Sequence, residues 1–164
     1  MGAESRQSSY YGHRQVEEMT DTFPKAERSR IMAAVKSKDT APEMTVRRLV
    51  HSLGYRYRLH VKSLPGSPDL AFPRLKKVIN VSGCFWHMHG CGRCRMPSSR
   101  ETYWREKLLR NYERDKKTAR ALRKAGWGLL VVWECQIMRN RADWLKRRLL
   151  HFLSQRCDRG PRNA

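Results

Sequence analysis

The stretch Gly83-Cys84-Phe85-Trp86-His87-Met88-His89-Gly90-Cys91-Gly92-Arg93-Cys94 constrains this chain more than any other. It packs five soft or borderline metal ligands into eleven positions, from Cys84 to Cys94. Thiolates and imidazoles at that density suit zinc, which closes a structural site with four ligands. Which four is open at this point. His87 and His89 are two apart, so an extended chain would point them the same way and leave one free for catalysis. Cys94 rivals Cys91. Cys135, at the end of a later apolar run, can supply a ligand from a distant element and so tie the loop to the fold. Cys157 reads as a plain thiol. The cysteines number five and no export signal precedes them, so a disulfide framework is the weaker reading.

The chain around that loop alternates helix and strand signals. Residues 1–25 lack periodicity and read as a mobile basic tail, and 157–164 as a second one, leaving 26–156 as a single domain. Glu27 to Val35 reads as a short helix, and Ser37 to Thr40 as a polar break. Pro42 then sits in the first turn of a helix whose apolar positions are Met44, Val46, Leu49, Val50 and Leu53 and whose stop is Gly54. Strands are expected at Tyr55 to Leu59, Asp69 to Phe72 and Lys77 to Val81. A long helix from about Arg100 to Ala125 carries a stripe of Trp104, Leu108, Tyr112, Ala119 and Leu122. Leu129 to Trp133 reads as a strand covered on both faces, and Ala142 to Leu153 as a closing amphipathic helix. This order predicts an α/β fold, a mixed β-sheet flanked by helices.

Charge narrows the partners. Lys+Arg 35 against Asp+Glu 15 gives a formal charge of +20, which repels itself unless a polyanion neutralises it. The longest apolar run falls far short of the roughly 18 residues of a membrane span. Nucleic acid is therefore the expected partner, and an intracellular, cytoplasmic location is expected.

Asp69 follows Pro68 and opens an apolar strand, and Lys77 to Val81 returns beside it. Restriction-type nucleases use such a hairpin to clasp Mg²⁺ against a scissile phosphate. Their second strand usually carries Glu-x-Lys, whereas this one reads Asn80-Val81-Ser82. With no lysine there, His87 is the candidate base that activates water. Glu43, in the first turn of the Pro42 helix, is a candidate partner, and otherwise complements the helix dipole.

Several motifs, in order from about residue 27 to 137, resemble the very short patch repair (Vsr) endonucleases. They are Ser29-Arg30-Ile31-Met32, Ser37-Lys38-Asp39-Thr40-Ala41-Pro42-Glu43, Leu64-Pro65-Gly66-Ser67-Pro68-Asp69, Gly83-Cys84-Phe85-Trp86-His87, Tyr103-Trp104, Asn111 with Arg114-Asp115, and Gly126-Trp127 to Trp133-Glu134-Cys135. The resemblance implies a restriction-endonuclease-like fold with a structural zinc site. It implies a monomeric, bacterial, nucleoid-associated enzyme that nicks double-stranded DNA 5′ to the thymine of a T:G mismatch left by 5-methylcytosine deamination. Mismatch-repair proteins are candidate partners. Carried over by position, Asp69 is the Mg²⁺ ligand with the main-chain carbonyl of Val81, His87 is the general base, and Glu43 holds metal-bound water. Zn²⁺ falls on Cys84, His89, Cys91 and Cys135, with Cys94 an extra. Ser82 stands where the family usually has Asp or His, which weakens a second Mg²⁺ site. Asn80 replaces a commonly apolar residue.

The same resemblance assigns the DNA contacts. Phe85, Trp86 and Trp104 form a wedge between base pairs from the major-groove side, and Met32 probes the minor groove. Lys107 and Asn111, four apart on one helix face, reach the mispair. Two other readings compete: a zinc-stabilised DNA-binding module silenced by Ser82, and a redox-active thiol protein.

Overall fold

The computed structural model describes residues 38–92, 94–98, 100–137 and 142–155. The helix expected at Glu27 to Val35, both expected tails, Met32 and Cys157 lie outside these residues. Helix α1 spans Ala41–Ser52. The Thr40 hydroxyl caps it by accepting from the Glu43 amide at 3.4 Å, and Pro42 occupies the first turn, where a missing N–H is harmless. Gly54, at φ +84°, ends it in a left-handed conformation that suits glycine. Val46 and Val50 are fully buried, and Glu43 and Arg47 are buried beside them. A buried acid and a buried base on one helix face are more than dipole complements.

Four strands follow: β1 (Arg58–Leu59), β2 (Leu70–Phe72), β3 (Lys77–Ser82) and β4 (Gly128–Trp133), in the order β1-β2-β3-β4. β1 and β3 both run antiparallel to β2, while β4 runs parallel to β3 with Ile79 opposite Leu130. The sheet is therefore mixed, as expected. The first strand is shorter than expected, because Tyr55 and Tyr57 turn edge-on against Phe72, at 6.5 and 6.1 Å between ring centres, instead of entering the ladder. β4 is covered on both faces but lies at the edge of the described sheet, so only Val132 is fully buried and the rest are half-buried.

Each face of the sheet packs on helices. On one, Leu70, Phe72, Ile79 and Val132 meet Val46 and Val50 of α1 and Leu145, Leu149 and Leu153 of a C-terminal helix, Ala142–Ser154. On the other, Ala71 and Val78 meet Leu122 of a long helix, α2 (Glu101–Lys124). Trp104 and Leu108 of α2 are also buried, but Tyr112 is 39% exposed and carries Lys116 Nζ 4.2 Å over its ring. The expected stripe is thus broken at Tyr112. Directly after β4, a short helix α3 (Glu134–Ile137) turns Cys135 into the interior; the C-terminal helix is α4. The turn before Asp69 is held tightly: a Cβ on Gly66 would come within 2.4 Å of Thr118 on α2. No described helix is long and apolar enough to cross a membrane.

Candidate active site and metal centre

Two constellations meet at the C-terminal end of β3. The first is the Cys/His loop. Residues 84–88 form successive turns rather than extended chain, with the Met88 amide on the Phe85 carbonyl at 3.4 Å and the His89 amide on the Cys84 carbonyl at 3.1 Å. The two histidines therefore diverge, contrary to the extended-chain expectation. His89 turns inward, stacks on Trp133 at 4.1 Å, and brings Nδ1 to 3.5 Å from Cys135 Sγ. The donor atoms of Cys84, His89, Cys91 and Cys135 all lie within 4.8 Å of one another.

That donor set is the chemistry of structural zinc, with three sulfurs and one imidazole from a loop and a distant helix. The Cys135 amide also points at Cys84 Sγ, 3.4 Å away, the kind of N–H···S contact that favours a thiolate. Burial pushes the Cys84 thiol up to about 12 in the absence of a cation, so this cluster is suited to thiolates only when a metal compensates the charge. Cys94, the rival to Cys91, is outside the tetrad and donates to the Cys84 carbonyl at 3.1 Å.

The second constellation is acidic. Asp69 is the residue before β2, and its Oδ2 accepts from the Val81 amide of β3 at 2.7 Å. Its carboxyl lies above the ordinary range: burial is the main cause, opposed by the Val81 hydrogen bond, with the Glu43 charge adding and His60 and Arg47 opposing. His87, on the loop beyond β3, turns Nδ1 onto Asp115 Oδ2 of α2. That contact leaves Nε2 as the nitrogen free for other chemistry. Ser82, the last residue of β3, is buried opposite Trp133, and the side-chain amide oxygen Oδ1 of Asn80 is buried without a partner among the described residues.

The family profile described as DNA mismatch endonuclease Vsr matches residues 20–93. A type II nicking enzyme, V.XorIIP of Xanthomonas oryzae, is 48% identical over 119 residues, covering 73% of this chain and 88% of that protein. The DNA mismatch endonuclease Vsr of Escherichia coli is 40% identical over 119 residues, covering 73% and 76%. A nicking enzyme of Neisseria meningitidis, V.NmeAIP, is 40% identical, covering 73% and 85%. The chain belongs to the Vsr DNA mismatch endonuclease family. As a Vsr-family protein it is a DNA-nicking endonuclease that hydrolyses phosphodiester bonds.

Phe85, Trp86 and Trp104 of this Vsr-family chain form one cluster. Phe85 lies edge-on to Trp86 at 5.1 Å and to Trp104 at 5.6 Å, and Trp86 lies 6.0 Å from Trp104. Lys107 sets its ammonium over Trp86, Trp104 and Tyr103, at 5.2, 5.3 and 5.7 Å, within cation–π range. Asn111 donates to the Trp86 carbonyl at 3.2 Å. One turn of α2 therefore braces the whole aromatic loop, while Met32 lies outside the described residues.

Three residues escaped the reading of the sequence. Arg47 and His60 crowd the two acids, and Asp115, noticed only within a motif, holds His87. Signals for all three existed. Arg47 is one helical turn from Glu43, His60 follows the strand residue paired with Leu70, and Asp115 lies four residues beyond Asn111 on the same helix face.

Proposed function

We propose that this endonuclease nicks one strand of duplex DNA 5′ to the thymine of a T:G mismatch, the product of 5-methylcytosine deamination, and so starts short-patch repair. The observation that carries the reading is the pairing at the end of β3: a half-buried carboxylate pinned by the Val81 amide, and a histidine beyond the same strand with one nitrogen committed to a carboxylate. The mismatch part rests on the 40% identity to a DNA mismatch endonuclease and on the braced aromatic loop.

Asp69 and the main-chain carbonyl of Val81 would hold Mg²⁺. Hard oxygen donors fit that ion, and Asp69 Oδ1 lies 3.9 Å from His60 Nδ1. When bound, the ion supplies charge stabilisation to the scissile phosphate. With Asp115 accepting from Nδ1–H, His87 takes a proton from the attacking water at Nε2. Glu43, whose Oε1 is engaged by Arg47, orients that water through its other oxygen. Cys84, His89, Cys91 and Cys135 would hold Zn²⁺ and so fix the loop that carries Phe85, Trp86 and His87.

Phe85 and Trp86, backed by the buried Trp104, wedge into the stack at the mispair, whose weaker pairing lowers the few kcal/mol that unstacking costs. Lys107 and Asn111 meet the mispaired bases, and Met32 the minor groove. The protein acts as a monomer, since one nick needs one active site.

The test uses end-labelled duplexes carrying one T:G mismatch in several sequence contexts, with matched T:A controls, Mg²⁺ or EDTA, and an Asp69→Ala variant. The expected product is a Mg²⁺-dependent nick 5′ to the mismatched thymine, absent in the variant. Equal nicking of the matched duplexes would overturn the mismatch reading and leave a nicking enzyme of matched sites.

A further inference from the structure

A second group of ligand-type residues lies at the start of α1. Donor atoms of Asp39, Glu43 and His60 lie within 4.8 Å of one another. Two carboxylates and an imidazole suit a divalent cation. A cation is already there. Arg47 Nη1 donates to Asp39 Oδ1 at 2.6 Å, Nη2 donates to Glu43 Oε1, and Nη2 also lies 3.1 Å from His60 Nε2. The Arg47 and Glu43 side chains are only 7% and 3% exposed, and the buried Arg47 Nε has no partner among the described residues.

Placement follows from local structure. Glu43 and Arg47 are one turn apart on α1, so their side chains share a face. The Leu59–Leu70 register sets His60 beside Asp69, with Nδ1 3.9 Å from Asp69 Oδ1 and Nε2 3.4 Å from Glu43 Oε1. His60 is thus a shared wall between the Arg47 group and the Asp69 carboxylate. An arginine buried against two carboxylates in this way costs desolvation, which its charge must repay in the same place.

We propose that Arg47 is a positioning residue whose guanidinium stands in for a divalent ion and closes the Asp39–Glu43–His60 group to metal. Its charge fixes Glu43 and prevents that carboxylate from becoming a metal ligand. The location of the one ion at Asp69 rests on the function proposed above, whereas the blocking of the second site does not.

Titration of the zinc-loaded full-length chain with Mn²⁺, with free ion followed by electron paramagnetic resonance, separates the two. The parent and Arg47→Lys are expected to bind one ion, Arg47→Met two, and Arg47→Met in an Asp69→Ala background one. Removing Asp69 alone should abolish the parent's ion; if the ion stays, the Asp69 reading falls while a gain in Arg47→Met still supports the block. An Arg47→Met chain that melts like the parent and binds no extra ion overturns the proposal. Glu43→Gln gives the check that survives if Arg47→Met does not fold. It should leave the parent's count at one, and loss of an ion there would make Glu43 a ligand and refute the idea.

Discussion

Asp115→Asn removes a charge from behind His87 and leaves its geometry in place. Asp115 Oδ2 meets His87 Nδ1 from α2, and both side chains are partly open, at 41% and 23% exposure. A hydrogen bond to a charged group contributes about 1.5–3 kcal/mol net. With Asp115 this exposed the lower end applies, about 1.5–2 kcal/mol, or roughly 10- to 30-fold at 1.36 kcal/mol per decade of rate. An exposed amide can turn its oxygen to Nδ1–H, so the fall should stay far short of the ~10⁴-fold penalty of a buried amide that locks the wrong tautomer. Single-turnover nicking of a T:G duplex gives the rate, and fluorescence anisotropy in EDTA gives the affinity. The loss should appear in the rate with affinity and melting temperature unchanged. A variant nicking at the parent rate, or one losing affinity in proportion to its rate, would show that Asp115 does not act through His87.

Three other perturbations probe the metal centres and the core. Because burial holds the Asp69 carboxyl above its ordinary value, the ionised form costs stability above the folded pKa, and that cost fades as pH falls through it towards 3.8. Metal-free Asp69→Asn should therefore melt above the parent at pH 7, with the gap closing near pH 4 in thermal scans; a gap that widens on acidification contradicts the sign. Cys94→Ala should keep one zinc per chain by metal analysis, whereas Cys91→Ala should lose it together with at least about 3 kcal/mol of stability, a fall of about 6–12 °C. The reverse pattern would make Cys94 the ligand. Leu149→Ala, at a fully buried position between α4 and the sheet, should cost about 2–5 kcal/mol in urea unfolding without changing the rate of the folded fraction.

Why some of this was legible and some was not comes down to the range over which each signal acts. Strands β2, β3 and β4 and helices α1, α2 and α4 announce themselves through local periodicity and through Pro, Gly and Thr punctuation, and they fall within a residue or two of their expected bounds. β1 does not, because Tyr55 and Tyr57 have strand-like propensity yet are drawn onto Phe72, a contact that only tertiary structure creates. The zinc-type tetrad was readable because its chemistry is concentrated: three of the four donors lie within eight residues, and Cys135 comes two residues after the apolar strand β4.

The acidic edge behaves differently. Glu43, Asp69 and His87 could be named from the sequence, but the side chains that sit against these two neighbouring acids are Arg47 and His60, ordinary surface residues by composition. Coulomb interactions carry no sequence period; they depend on which side chains a register happens to bring within a few ångströms. Here the Leu59–Leu70 pairing and a single turn of α1 do that work. Reading hairpin register forward from Asp69 to His60, and helical spacing from Glu43 to Arg47, recovers the missing half of the site. Those two steps need only the strand ends and the helix phase, so the same construction applies to any chain in which a carboxylate opens one strand of a hairpin.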